Sequence, residues 1–210
     1  MFFLFLLLIF LITAAALWFQ GVWNIAITLI NLILAMMIAT NYFEPVATLI
    51  EGLGGASFTY LLDFIVLWVL FAFAFGILRL FSDMLSKKAV KFNLPVEMAG
   101  RSILAIWCGY LVVCFTAFSM QMAPLNNVTP MGAFETPTSS SFLGMAPDRQ
   151  WLGFMQSRSR GALARGNFSN NIHPSDQGLN VETFDPHSEI PLRYRQRRES
   201  YSKAEGLRVQ

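Results

Sequence analysis

Four long apolar runs in the first 122 residues constrain this chain more than any other feature of its sequence. They cover residues 2–19, 22–40, 60–81 and 102–120. As α-helices, these runs of about 18 to 22 residues would be roughly 27 to 33 Å long, close to the roughly 30 Å of a bilayer's hydrocarbon core. The pattern predicts an all-α membrane protein, with four transmembrane helices in a domain of residues 1–122.

The remainder of the chain has a different composition, rich in Ser, Asn, Pro, Gly and Arg. Prolines and a serine triplet predict a linker over residues 123–147. Apolar residues then recur at helical spacing and predict an amphipathic helix over 148–165, lying on the outer membrane face or on a partner: Trp151, Phe154, Met155 and Ala162. Residues 166–210 contain few aliphatic side chains, which predicts a largely disordered polar tail.

The first apolar run has two interpretations, a transmembrane helix or a cleaved signal sequence. It ends in Ala14, Ala15 and Ala16, small residues of the kind that precede a cleavage site, but no basic segment comes before it. Cleavage would also turn the lysine-bearing link after the third run toward the outside, against the usual charge bias. We therefore interpret residues 2–19 as the first transmembrane helix.

The charges of the short links predict the orientation of the bundle. The link over 41–59 has two carboxylates and no basic residue, whereas the link over 82–101 is basic through Lys87, Lys88, Lys91 and Arg101. Because basic short loops stay in the cytoplasm, link 82–101 is predicted to be cytoplasmic, with its three lysines at the membrane surface. Both termini and the tail would then be extracytoplasmic, although the arginines at 193–198 would also suit an anionic cytoplasmic leaflet.

The sequence shows no constellation for catalysis, a cofactor or a metal. Cys108 and Cys114 lie six positions apart in one apolar run, so they cannot pair with each other and are interpreted as small hydrophobic residues. His173 and His187 have no further ligand at metal-binding spacing. The small, dispersed basic excess does not form a nucleic-acid footprint. We predict a protein that is not an enzyme, has no cofactor and binds no nucleic acid.

Two apolar runs have stripes of polar or small residues along one helix face. In the second run Asn24, Thr28 and Asn31 share a face, and in the fourth run Ala105 and Gly109 form a small-xxx-small pair. Such stripes form helix–helix seams, where amides bond across the interface and small residues let backbones approach. The same polar residues could alternatively line a substrate path.

Asp63 is the one carboxylate inside a predicted span. It lies in the first turn of the third helix, where the unpaired N–H groups and the helix dipole favour a negative charge. Two interpretations stay open, a structural anchor near the outer interface and an ion or proton site.

In its first 122 residues the chain resembles the colicin V production protein family, bacterial inner-membrane proteins with four predicted spans. The resemblance lies in Gln20-Gly21, in the third span over 63–80 and in the LPVEMAG segment over 94–100. The chain departs from the family pattern at Gln20 and at Trp107-Cys108, where family members commonly have the arginine of an Arg-Gly pair. The resemblance implies a part in toxin production or export, or in envelope maintenance, and it carries over no catalytic residue.

Two functions are compatible with these observations. The first is a non-enzymatic protein of the inner membrane that binds membrane or envelope proteins through its helix seams and its tail. The alternative is a subunit of a small oligomeric transporter or channel, with Asn24, Thr28, Asn31 and Asp63 along the route. Its partners would be the lipid bilayer, other envelope proteins or, in a homo-oligomer, further copies of the chain.

Overall fold

The computed structural model describes residues 1–54, 59–86, 92–123, 133–134, 141–159, 184–185 and 188–206. Six helices contain most of these residues: α1 Phe2–Trp18, α2 Val22–Gly54, α3 Thr59–Leu85, α4 Leu94–Met122, α5 Pro147–Arg158 and α6 Ile190–Gly206. Within the same residues the only β-structure is an isolated antiparallel bridge between Phe142 and Met145. The all-α fold class is therefore confirmed.

Three of the helices, α2, α3 and α4, are long and apolar enough to cross a membrane. The predicted first span is shorter, because α1 has 17 residues and measures only about 26 Å. Helix α2 continues past the end of its apolar run and includes Pro45. Phe43 and Ala47 are buried on either side of Pro45, so packing holds this polar extension in helical form.

Helix α4 lies at the centre of the bundle. Helices α1 and α5 pack on it from different sides, and the α2–α3 pair packs on it as well. An aromatic cluster fills the middle, with Phe115 lying 5.4 Å from Trp68 and 5.0 Å from Phe71 between ring centroids. Helix α3 is the peripheral member, since Val69 and Phe73 on its outer face are 60% and 66% exposed. In a membrane, that face contacts lipid.

The chain after residue 123 contains more structure than its composition predicts. Helix α5 begins at Pro147, close to the predicted start, and docks on its own bundle. The prediction of disorder is wrong for residues 190–206, which form α6. Ile190 and Tyr194 are buried, and arginines of α6 pair with carboxylates of the bundle. Local composition cannot reveal those distant partners; residues 160–183 lie outside the described residues.

Candidate functional site: the capped end of the bundle

One end of the bundle is covered by the two helices of the tail, α5 and α6, and we call it the capped end. The C-terminal parts of α2 and α4 meet there with the start of α3, because antiparallel neighbours alternate in direction. Polar side chains of α5 and α6 bond to all three helices. This end contains the largest group of tertiary polar contacts in the described part of the chain.

Trp151 anchors α5 in the bundle. It is 2% exposed, and its indole Nε1 donates to Oγ1 of Thr40 on α2 at 3.1 Å. Its ring meets Phe115 of α4 edge to face, with centroids 6.1 Å apart. Leu152 and Met155 are buried on the same face of α5. A buried indole with its N–H paired fixes both the depth and the rotation of the helix.

Asp148 lies buried at the start of α5. Its carboxylate accepts a hydrogen bond from Nε2 of Gln121 on α4. Burial raises the pKa of the Asp148 carboxyl, and hydrogen bonds from the Arg149 N–H and from Gln121 oppose that rise. The backbone carbonyl oxygen of Gln121 in turn accepts a hydrogen bond from Nη1 of Arg198 on α6 at 2.5 Å. Gln121 is therefore the residue at which α4, α5 and α6 meet.

Asp185 sets the start of α6. Its two carboxylate oxygens accept the backbone N–H groups of Glu189 at 2.8 Å and Ile190 at 3.3 Å. These are donors that the first helical turn leaves without partners. Nearby, the buried Phe184 donates its N–H to the hydroxyl of Ser159 at the end of α5. The end of α5 and the start of α6 are thus joined directly.

Two arginines of α6 pair with carboxylates of the bundle at its capped end. Arg193 pairs with Glu44 of α2, and Arg197 pairs with Asp63 of α3 at 2.5 Å. Tyr194 lies between the arginines and donates its hydroxyl to Asp63 at 3.0 Å. Burial, followed by the charge of Asp63, raises the pKa of Tyr194, so the phenol stays protonated and remains a donor. In this structure Asp63 anchors α6.

A polar cavity of about 660 Å³ lies beside these pairs. Its lining comes from the end of α2, from the start of α3 and from α6. It includes both ion pairs, and Glu51 adds a further carboxylate. A second, more apolar cleft of about 470 Å³ lies between α5 and α6, lined by Leu152, Gly153 and Leu192 among others.

At the opposite end of the bundle, the polar stripe of α2 divides. Thr28 and Asn31 are buried against α3, where Thr28 accepts from Nη1 of Arg79 at 2.8 Å and Asn31 Oδ1 accepts from the Ser82 hydroxyl at 3.0 Å. Asn24 is exposed and lies outside this seam. Two members of the stripe therefore bond across a helix interface.

The small pair on α4 faces α1. Ala105 and Gly109 are buried, and a Cβ added at Gly109 would lie 3.1 Å from Cδ2 of Phe10 and 3.2 Å from its carbonyl oxygen. The glycine thus allows a close approach of two backbones. The predicted cytoplasmic surface residues Lys87, Lys88 and Lys91 lie outside the described residues.

Glu97 clamps the start of α2 onto α4. Its Oε1 accepts the backbone N–H of Val22 at 3.1 Å and two bonds from the Arg101 guanidinium. Gly21 and Gly100 allow the contact, since a Cβ at Gly100 would lie 2.9 Å from Val22. This clamp was not predicted from the sequence, although the LPVEMAG segment, which contains Glu97, is part of the family resemblance.

Among the described residues, no three His, Cys, Asp or Glu side chains are grouped so that they could hold a metal ion. Comparison of the chain with protein-family models, with curated proteins and with solved structures gives no significant match. The capped end is a polar surface built from α5, α6 and the ends of the bundle helices.

Proposed function

We propose that this chain is a non-enzymatic, multi-pass protein of a bacterial inner membrane that works by binding partner proteins at its capped end. On the resemblance to the colicin V production family, we propose that this work is part of toxin production or export, or of envelope maintenance. The observation that carries the proposal is the fold of the tail. Helices α5 and α6 fold back onto the bundle and build a preformed surface above the membrane-crossing helices.

Two exposed apolar side chains on this surface support partner binding. Phe154 of α5 is 38% exposed and Leu192 of α6 is 50% exposed. Both lie on helices whose other faces are fixed to the bundle, so a partner would meet them in an ordered arrangement. Apolar and aromatic side chains on an ordered surface, with polar residues around them, are typical of interaction sites.

Photo-crosslinking in cells tests this proposal. A crosslinking amino acid would replace Phe154 or Leu192. The matched control would carry it at Val69, which is 60% exposed, more than either cap residue, and lies on the outer face of α3. We expect protein adducts at the two cap positions and none at the control. Deletion of residues 147–206, in a chain without the crosslinking amino acid, should reduce toxin export or envelope integrity. Full activity of the deletion, together with an absence of adducts, would refute the proposal.

The proposed orientation places link 82–101 in the cytoplasm and the capped end outside. Labelling with a membrane-impermeant maleimide tests this orientation, in chains that carry a single introduced cysteine in place of Glu51, Lys88 or Lys203. We expect labelling at Glu51 and Lys203 in intact cells, and at Lys88 only after permeabilisation. The native Cys108 and Cys114 are buried and provide the unlabelled background. Labelling of Lys88 in intact cells would reverse the orientation.

A second candidate function is a subunit of a small oligomeric transporter or channel. One observation favours it: Nδ2 of the buried Asn31 has no hydrogen-bond partner among the described residues, so it is a donor that a passing solute or ion-bound water could use. Substituting Asn31→Leu and Asn24→Leu separates the two roles. If Asn31 lines a transport path, Asn31→Leu should abolish flux in a protein that still folds. If Asn31 only joins α2 to α3, Asn31→Leu should impair folding and Asn24→Leu should have no effect.

A further inference from the structure

Helix α6 is attached to the bundle more by charge than by apolar contact. Its sequence, IPLRYRQRRESYSKAEG, has few apolar residues. Among its described side chains only Ile190, Tyr194 and Arg198 are buried. Its polar attachment includes the two ion pairs to Glu44 and Asp63, the hydrogen bond from Tyr194 to Asp63 and the bond from Arg198 to the end of α4. A helix held in this way can be released and replaced, because the charges regain water when the pairs separate.

The receiving surface is matched to a helix with arginines four residues apart. Arg193 and Arg197 lie on one face of α6, about 6 Å apart along its axis. Each meets a carboxylate from a different helix of the bundle. Both guanidinium groups lie over the Tyr194 ring, at 5.3 and 5.8 Å from its centroid, so the ring supports them beside the carboxylates. The arrangement recognises a specific helical pattern.

Helix α6 of the same chain does not fill the surface around Glu44 and Asp63. The cavity of about 660 Å³ lies along the contact between α6 and the bundle. Glu51 lines the cavity and has no ion-pair partner among the described residues. Unfilled volume and an additional carboxylate beside the ion pairs mean that the site can accept a basic helix in more than one way.

We propose that the surface formed by Glu44 and Asp63 is an interaction site for an arginine-bearing helix, filled by α6 in cis, and that α6 of a second copy takes the same place when the cis helix leaves. A second copy necessarily carries a helix that fits. The 24 residues between Ser159 and Phe184 could extend over as much as about 80 Å, which is enough to reach a neighbouring bundle. Exchange of an identical element between protomers is a low-cost route to a dimer.

This inference rests on the proposed function in one respect, that partners bind at the capped end. A charge-reversal experiment in reconstituted full-length protein tests it. One copy carries Glu44→Arg and Asp63→Arg, so its acidic surface is lost while its α6 is intact. The other copy carries Arg193→Glu and Arg197→Glu, so its surface is intact while its own α6 is repelled.

The contact is detected with a cysteine pair. Thr48→Cys is placed on the intact surface of the second copy and Ser200→Cys on the intact α6 of the first, since both residues line the cavity. Joined by a bis-maleimide, the two copies should give a heterodimer at least about tenfold above a control in which both copies have reversed arginines. Protection of the α5 amides from hydrogen exchange verifies that each copy is folded.

Absence of the heterodimer, while a single otherwise unaltered chain with both cysteines still crosslinks within itself, would overturn helix exchange. That outcome would leave the cap-position photo-crosslinks to other proteins unaffected, so failure of this inference differs from failure of the proposed function. Raised salt should lower both the internal and the intermolecular crosslink, because ion pairs at partly exposed positions are screened.

Discussion

The hydrogen bond between Trp151 and Thr40 gives a sharp test of how the tail is attached. Substituting Thr40→Val removes the acceptor and leaves the buried indole N–H of Trp151 without a partner. An unpaired buried donor costs about 1 to 3 kcal/mol. If α5 exchanges its amide hydrogens through undocking, the exchange rate should rise about 5- to 140-fold, since each 1.4 kcal/mol is a factor of ten.

The measurement is hydrogen exchange of the α5 amides in nanodiscs, followed by mass spectrometry of the peptide over residues 147–158. Trp151→Phe removes the donor, so Thr40→Val should be nearly neutral in that background. The coupling energy between Thr40 and Trp151 is the effect of Thr40→Val in the unaltered chain minus its effect in the Trp151→Phe chain.

Thr48→Val is the matched control. Thr48 is also on α2 and donates to the carbonyl four residues back, at 2.9 Å to Glu44, just as Thr40 donates to Met36 at 2.7 Å. It is exposed and has no bond to the tail among the described contacts. Should Thr40→Val accelerate exchange no more than Thr48→Val, the indole bond does not hold α5 and the reasoning fails.

Two further predictions follow from contacts of α1 and α5. Gly109→Leu should detach α1 from α4, because Phe10 leaves no room for the new side chain. The detachment is measured as the loss of a crosslink between the two helices. The control is Gly76→Leu, which should leave that crosslink intact because a Cβ at Gly76 meets nothing within 4 Å. Because burial raises the pKa of Asp148, docking of α5 should be strongest below the ordinary carboxyl pKa of about 3.9 and should weaken as pH rises through the raised value. Asp148→Asn should remove this pH dependence of docking. The measurement is the protection of the α5 amides as a function of pH, corrected for intrinsic exchange, and an unchanged pH profile in Asp148→Asn would contradict the prediction.

The sequence predicts those parts of the fold that depend on local periodicity. Apolar runs of bilayer length correspond to α2, α3 and α4. The buried positions of Thr28 and Gly109 follow from helical spacing, since residues three or four apart share a face. The prediction is less good at the ends of elements, where α2 continues to Gly54 because packing around Phe43 supports a polar extension.

The contacts of the tail could not be predicted from sequence. Arg197 meets Asp63 across 134 positions of the chain, and no local pattern indicates which carboxylate an arginine will find. The apolar face of α5 was visible through Trp151 and Met155, but its destination was not, because a membrane surface, a partner and the chain's own bundle all offer apolar contact. Asp63 was predicted in the first turn of the third helix, but α3 begins at Thr59 and Asp63 lies beyond its first turn. The residues that pair with Asp63, Tyr194 and Arg197, come from α6 and were not predicted.

The clamp between Glu97 and the start of α2 has a consequence for biogenesis. The two residues that meet, Val22 and Glu97, are 75 positions apart, which a ribosome covers in about 4 to 15 s. During that interval α2 must enter the bilayer with its first amide groups open to water at the interface. The placement of the start of α2 on α4 is therefore fixed only after α4 has been synthesised, so an early helix waits for a late one before its position is set.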